Sequence, residues 1–274
     1  MRRATLLLCL LVALAAPAQA LATDEVAEQG SVRATLSYDC GEFEFNCSAM
    51  RMRIARSAIT VFDQQIKLRG DVRFGPGRPG QKSVLLEQLD PDAEPEVLVD
   101  VYTGGAHCCL ISFVYDFQDG SYQQIGHRWN DPGYVLRNLD RRERPEFVSK
   151  DHRFGFLYTS FAESRFPIQI WRFKGRKFRA VTRGFRNVVR RDRDRQLRFY
   201  RTLRRQKGDV RGALAAYQAD NYLLSRRTAA RGWRLLKGLA DQGKIKRPSF
   251  ASGPSGRAYL RSLQRKLRRF GYTR

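Results

Sequence analysis

Tyr102-Thr103-Gly104-Gly105-Ala106-His107-Cys108-Cys109 is the most distinctive string in the chain, a histidine beside two thiols behind a pair of glycines. Two glycines allow a backbone turn that residues carrying a Cβ resist. Imidazole and thiolate are ligands for soft metals. The turn from Gly104 to Cys109 therefore reads in two ways: as the site of a redox or metal-dependent enzyme, or, where thiols are oxidised, as a structural staple. Cys40 and Cys47 bring the cysteines to an even set of four, once Cys9 is set aside in an apolar N-terminal stretch. Three pairings are open: Cys40 with Cys47 and Cys108 with Cys109, or either of the two crossed arrangements. Other signatures of catalysis are missing. His107, His127 and His152 are the only histidines, none stands in H-E-x-x-H spacing, and no G-x-S-x-G elbow occurs.

Carboxylates gather in two matching strings. Leu89-Asp90-Pro91-Asp92-Ala93-Glu94-Pro95-Glu96-Val97 is echoed 50 residues later by Leu139-Asp140-Arg141-Arg142-Glu143-Arg144-Pro145-Glu146-Phe147. Metal binding suits such groupings better than acid/base catalysis, because hard oxygen ligands select hard cations. The two strings resemble the FG-GAP or VCBS repeat of integrin-like propellers and many exported bacterial proteins, in which D-x-D-G-D-G-x-x-D/E wraps a calcium ion ahead of a strand. The resemblance covers residues 80 to 180, and the Tyr102 to Cys109 string is similar to one in exported bacterial proteins of unassigned function that share the repeat.

This resemblance implies ligands at loop positions one, three, five and nine with a carbonyl at seven. Carried onto the first string, these are Gln88, Asp90, Asp92, the carbonyl of Glu94, and Glu96. Gln88 replaces an aspartate, while Pro91 and Ala93 replace glycines, so charge and turn freedom are both reduced. The expectation is at most one calcium ion, weakly held, with a metal-free turn as the alternative. The second string offers Asn138, Asp140 and Glu146 but sets Arg142 at position five. A guanidinium there can bridge the carboxylates in place of an ion.

The elements that must position these groups follow from periodicity. From Val32 to Val181 short apolar runs alternate with Gly, Asp and Pro turns: 32–38, 52–55, 59–62, 84–87, 97–101, 110–115, 122–125, 147–149, 168–173 and 178–181. Asp119-Gly120 and Gly175 stand where hairpins turn. A repeat of this length is that of propeller blades and related β arrays, although two repeats cannot close a ring. Past Thr182 the period becomes helical. Val210, Leu214, Tyr217, Asn221 and Leu224 share one face, as do Ala229, Trp233, Leu236 and Ala240. After a candidate cap at Ser255, Leu260, Leu263, Leu267 and Phe270 form an apolar stripe opposite Arg257, Arg261, Arg265 and Arg268. The fold expected is an all-β domain of blade-like repeats, an open sheet or partial propeller, over residues 31–182. A basic α-helical domain over 183–274 follows and covers an open sheet edge.

Charge divides the chain at the same place. Residues 21–182 hold 22 Lys/Arg and 22 Asp/Glu, whereas residues 183–274 hold 27 Lys/Arg and 5 Asp/Glu. Arg2 and Arg3, the apolar run from Leu6 to Ala16 and the Ala18-Gln19-Ala20 site read as a secretory signal over residues 1–20, with 21–30 a linker. No later stretch is long and apolar enough to span a membrane. The expected protein is secreted or extracytoplasmic, in a bacterial envelope. Its basic helices contact an anionic envelope polymer or membrane surface by long-range attraction, with Arg257, Arg261, Arg265 and Arg268 as the binding face. Nucleic acid is a weaker member of the same class of partner.

Overall fold

The computed structural model describes residues 23–273 apart from 41–46, 69–73, 78, 79, 106, 108, 142, 143, 249 and 250. The signal segment 1–20, Cys108 and Arg142 lie outside the described residues. Three antiparallel sheets precede four helices. The first sheet is a meander of β1 (Thr23–Gln29), β2 (Val32–Cys40), β3 (Cys47–Arg56) and β4 (Ile59–Gln65). Residues 23–29, expected as linker, instead pair with β2 along their whole length, from Thr23 opposite Tyr38 to Gln29 opposite Val32. The turn between them needs Gly30, whose φ is +60°. No residue of β1 is buried, so this strand has no apolar face to reveal it in the sequence. Cys40 and Cys47 face each other at the end of the β2–β3 pair and are disulfide-bonded, which removes both crossed pairings.

The second sheet is built on β7 (Glu96–Tyr102) and β8 (Leu110–Gln118), flanked by β9 (Ser121–Asn130) on one side. On the other side the short β5 (Gly75–Pro76) and β6 (Val84–Glu87) both pair with β7. The third sheet is again a meander, of β10 (Tyr134–Arg137), β11 (Glu146–Lys150), β12 (Ile168–Phe173) and β13 (Phe178–Ala180). Because successive side chains leave a strand on opposite faces, the middle sheet buries both. Val97, Val99 and Tyr115 meet Leu36, Met52 and Ile54 of the first sheet. Leu98 and Val114 meet Phe147 and Phe173 of the third. Burial on two faces is why β7 and β8 read as continuous apolar runs rather than as alternating ones.

The helices are α1 (Arg186–Arg205), α2 (Arg211–Leu224), α3 (Arg226–Asp241) and α4 (Gly256–Arg269). They cover a face of the third sheet, not an edge. Ile168 and Ile170 of β12 point away from the second sheet and pack with Val189 of α1 and Leu224 of α2. The apolar stripe of α2 understates its burial, since every residue from Arg211 to Asn221 is buried. Ala213, Ala215, Ala216 and Ala219 let neighbours approach on all sides. Gly232 of α3 is needed for the same closeness, because a Cβ there would sit 2.0 Å from Gln218 Oε1. At α4, Ser255 occupies the cap position without a side-chain capping bond.

The hydrophobic boundary does not follow the charge boundary at Thr182. Phe154 and Tyr158, from the loop between β11 and β12, belong to the helical core. Tyr158 stacks edge-on against Tyr259 at 4.7 Å and donates to Ser262 Oγ at 3.1 Å. Charge reports the surface, and this loop is placed by its apolar side chains.

Candidate functional site

The first acidic string forms a loop leading into β7. The Leu89 N–H donates to Glu96 Oε2 at 2.6 Å and closes it. Within the loop the amides of Asp92 and Glu94 each bond the carboxylate two residues earlier, at 3.0 Å. Asp90, Asp92 and Glu96 are joined by a group absent from the sequence reading, Asp116 of β8. One carboxylate oxygen from each of the four lies within 4.8 Å of all the others. Oxygens on opposite sides of a calcium ion are about 4.6–5.2 Å apart, given Ca–O distances of 2.3–2.6 Å, so the spacing fits a shared cation.

Gln88 occupies the place of a ligand but acts as a donor. Its amide nitrogen bonds the carbonyls of Asp90 at 3.4 Å, Asp92, and Glu94 at 3.3 Å. Turning the amide over would present Oε1 to the same centre. The Glu94 carboxylate points elsewhere, paired with Arg56 and accepting from Tyr122 Oη at 2.9 Å. Among the expected ligands, Glu94 can therefore offer only its carbonyl. The cluster is short of positive charge: Arg176 Nε, 2.8 Å from Asp116 Oδ2, is its one direct cation among the described residues. Burial pushes the Glu96 carboxyl up to about 8, with repulsion from Asp90 and Asp92 adding to it. Asp92 is raised too, by burial and then by its acidic neighbours.

The second loop closes in the same way, Leu139 N–H to Glu146 Oε2 at 3.0 Å. Its centre is different. Arg172 of β12 bonds Asp140 at 2.8 Å and Glu146 together. Val97 pairs with Tyr115 and Phe147 with Trp171, so one residue further along each ladder Glu96 faces Asp116 and Glu146 faces Arg172. A bridging guanidinium was expected from Arg142, which lies outside the described residues; Arg172 bridges the two carboxylates from the neighbouring strand. Nothing within either string signals Asp116 or Arg172, because each is reached only through strand register.

In the Gly104–Cys109 turn, Gly104 and Gly105 both have positive φ, 73° and 91°. The Cys109 sulfur is in a disulfide, its partner outside the described residues. His107 lies against Phe161, ring centres 3.8 Å apart. His127 is packed among Trp129, Trp171 and Phe178, and burial lowers it to about 4. His152 Nδ1 sits 3.0 Å from Asn130 Nδ2. His107 lies 4.0 Å from Asp131 and the Cys109 sulfur 3.5 Å from Asn130 Oδ1, so His107, His152 and Cys109 border the same Asn130-Asp131 pair, but a bridged sulfur is no thiolate ligand.

The fourth helix carries the expected cationic face. Arg257, Arg261, Arg265 and Arg268 are all exposed, while Leu260, Leu263 and Leu267 are buried and Phe270 is half-buried. The five acids of residues 183–274 do little to offset them. Asp192, Asp209 and Asp220 are buried. Asp192 is paired with Lys150 and Arg195, Asp209 with Arg211, Asp194 with Arg193 and Asp241 with Arg257. Among the described residues no helix is long and apolar enough to cross a membrane.

No family model matches the chain, and no solved structure matches it. It is 29% identical over 161 residues to the probable thylakoid lumen protein sll0997 of Synechocystis sp., covering 56% of this chain and 47% of that protein. It is 28% identical over 110 residues to the uncharacterized protein y4bJ of Sinorhizobium fredii, covering 39% of this chain and 17% of that one. The chain thus spans less than half the length of these curated relatives.

Proposed function

We propose that this is an extracytoplasmic, non-enzymatic binding protein. Stacked sheets form its support, and its basic helices hold an anionic polymer of the cell envelope. One observation carries the reading: the helical part buries or pairs its acids and leaves most of its arginines, the buried Arg211 excepted, on the surface. An outward-facing cationic surface raises the local concentration of polyanions and binds them by releasing their counterions. The Cys40–Cys47 bridge and the likeness to a protein named for the thylakoid lumen both favour a compartment outside the cytoplasm. Membrane surfaces and nucleic acid carry the same charge and are weaker partners in this reading.

The first acidic loop takes one calcium ion on Asp90, Asp92, Glu96 and Asp116, with the Glu94 carbonyl and a turned Gln88 amide completing an oxygen shell. The ion would supply the positive charge that this cluster lacks and fix the loop against β8. The second loop needs none, because Arg172 is already there.

Reversing Arg257, Arg261, Arg265 and Arg268 to Glu tests the binding reading. The variant should keep its circular dichroism spectrum, since these side chains are exposed, and lose retention on an immobilised polyanion. Retention equal to that of the unaltered protein would refute the assignment.

A further inference from the structure

Helices α3 and α4 part around a groove of about 700 Å³, within the size range of small-ligand sites. Trp233, Arg234 and Lys237 line it from α3, and Arg257, Leu260 and Arg261 from α4. On α4 these positions follow helical spacing, so one face supplies an apolar floor at Leu260 with guanidiniums beside it. Leu260 is buried and Trp233 half-buried, while Arg234, Lys237, Arg257 and Arg261 are exposed. The groove's one acid, Asp241, is paired with Arg257 at 2.8 Å. Arg234, Lys237 and Arg261 make no ion pair with a carboxylate among the described residues.

Trp233 gives the groove its chemistry. Its indole N–H donates to Tyr222 Oη at 2.9 Å, which fixes the ring and leaves a ligand only its π surface and C–H edge. We infer that this groove is a binding site for the acidic sugar units of a carboxylated polysaccharide, one ring lying on Trp233 and its carboxylate taken by Arg234, Lys237 and Arg261. The inference rests on the reading of the helices as the polyanion surface. Guanidiniums bind carboxylates bidentately, and the C–H face of a sugar suits an indole whose polar edge is engaged. Single-stranded nucleic acid is held by stacking successive bases on several aromatics, and this groove has one. Insertion into lipid needs an outward apolar stripe, whereas Leu260, Leu263 and Leu267 of α4 face the core.

The test uses the full disulfide-bonded protein and three probes of matched charge: a galacturonic-acid oligomer, a thymidine oligonucleotide, and vesicles rich in anionic phospholipid. Two exposed pairs are neutralised separately, Arg234→Gln with Arg261→Gln in the groove and Arg190→Gln with Arg201→Gln on α1. Trp233→Phe and Trp233→Leu complete the set, circular dichroism confirming the fold of each. The groove pair should weaken oligogalacturonate binding about tenfold and the α1 pair about twofold at most. Trp233→Leu should weaken it while Trp233→Phe retains most of it. Equal losses from the two arginine pairs would overturn the groove site and leave the general cationic surface standing. Groove-dependent binding that is tighter for the oligonucleotide or the vesicles would overturn the ligand class. Failure to bind any of the three would remove the cationic-surface reading itself.

Discussion

The sheets and the helices handle charge in opposite ways. In the sheets, arginines turn inward to meet carboxylates: Arg56 meets Glu94, Arg176 meets Asp116, and Arg172 meets Asp140 and Glu146. In the helices Asp192, Asp209 and Asp220 are buried and Asp194 and Asp241 are paired, while most arginines, the buried Arg211 excepted, stay out and leave excess positive charge on the surface. The inward cations of the sheets serve folding, as does Arg211 in the helices, and in the proposed function binding falls to the exposed helical arginines. The two acidic loops sharpen the point on a smaller scale. They share a closing hydrogen bond and differ in the residue facing the closing glutamate, aspartate in one and arginine in the other. One cross-strand position decides whether the closing glutamate faces a guanidinium or another carboxylate.

The largest effect should come from Arg172→Gln, which strands the fully buried Glu146 side chain without its cation. Breaking a buried pair from one side costs about 3 kcal/mol, read as a lowered denaturant midpoint, while polyanion binding should be unchanged. Lost binding would break the division between the two regions. Gly232→Ala should come next, at about 2 kcal/mol, because the methyl group displaces the buried Gln218 amide that donates to the Ala229 carbonyl.

Calcium should have a smaller effect, restricted to the first loop. At ten times its dissociation constant an ion stabilises the folded state by about 1.4 kcal/mol; Asp116→Asn should abolish this and Asp140→Asn should not. The pH dependence follows from Glu96, whose carboxyl is pushed up to about 8 mainly by burial. Between its ordinary value and about 8 the folded, metal-free protein keeps a proton that the unfolded chain has lost. Stability should then fall as pH rises through that window, and Glu96→Gln should flatten the fall. Calcium stabilisation should grow with pH over the same range, as the ion replaces the proton. The smallest effect on folding should come from Arg190→Gln, an exposed helical arginine, at within about 0.5 kcal/mol. A loss comparable to that of Arg172→Gln would show that exposed helical arginines also serve the fold.

The parts of this arrangement legible in sequence are those set by local pattern. Alternation marks β2, β3 and β12, continuous apolar runs mark β7 and β8, and the α4 stripe with its opposing arginines reads directly from helical spacing. The matching loops could be paired because Asp90 and Asp140, and Glu96 and Glu146, recur at one interval. Asp116 and Arg172 could not be found in this way, since each reaches its loop through pairing with another strand. β1 escaped notice because it buries nothing, and α2 seemed one-sided because its alanines carry no apolar weight comparable to leucine. Phe154 and Tyr158 lie before the charge boundary yet pack beyond it, so no census of charge could place them.

The most direct test of the account is the salt dependence of polyanion binding, measured side by side for the unaltered protein, Arg172→Gln, and the variant with Arg257, Arg261, Arg265 and Arg268 reversed to Glu. The unaltered protein and Arg172→Gln should give the same steep decline of affinity with rising salt, because counterion release is set by the exposed arginines. The reversed variant, folded by circular dichroism, should show little binding at low salt and almost no slope. Matching affinities and slopes in all three would contradict the claim that the helices are the binding surface.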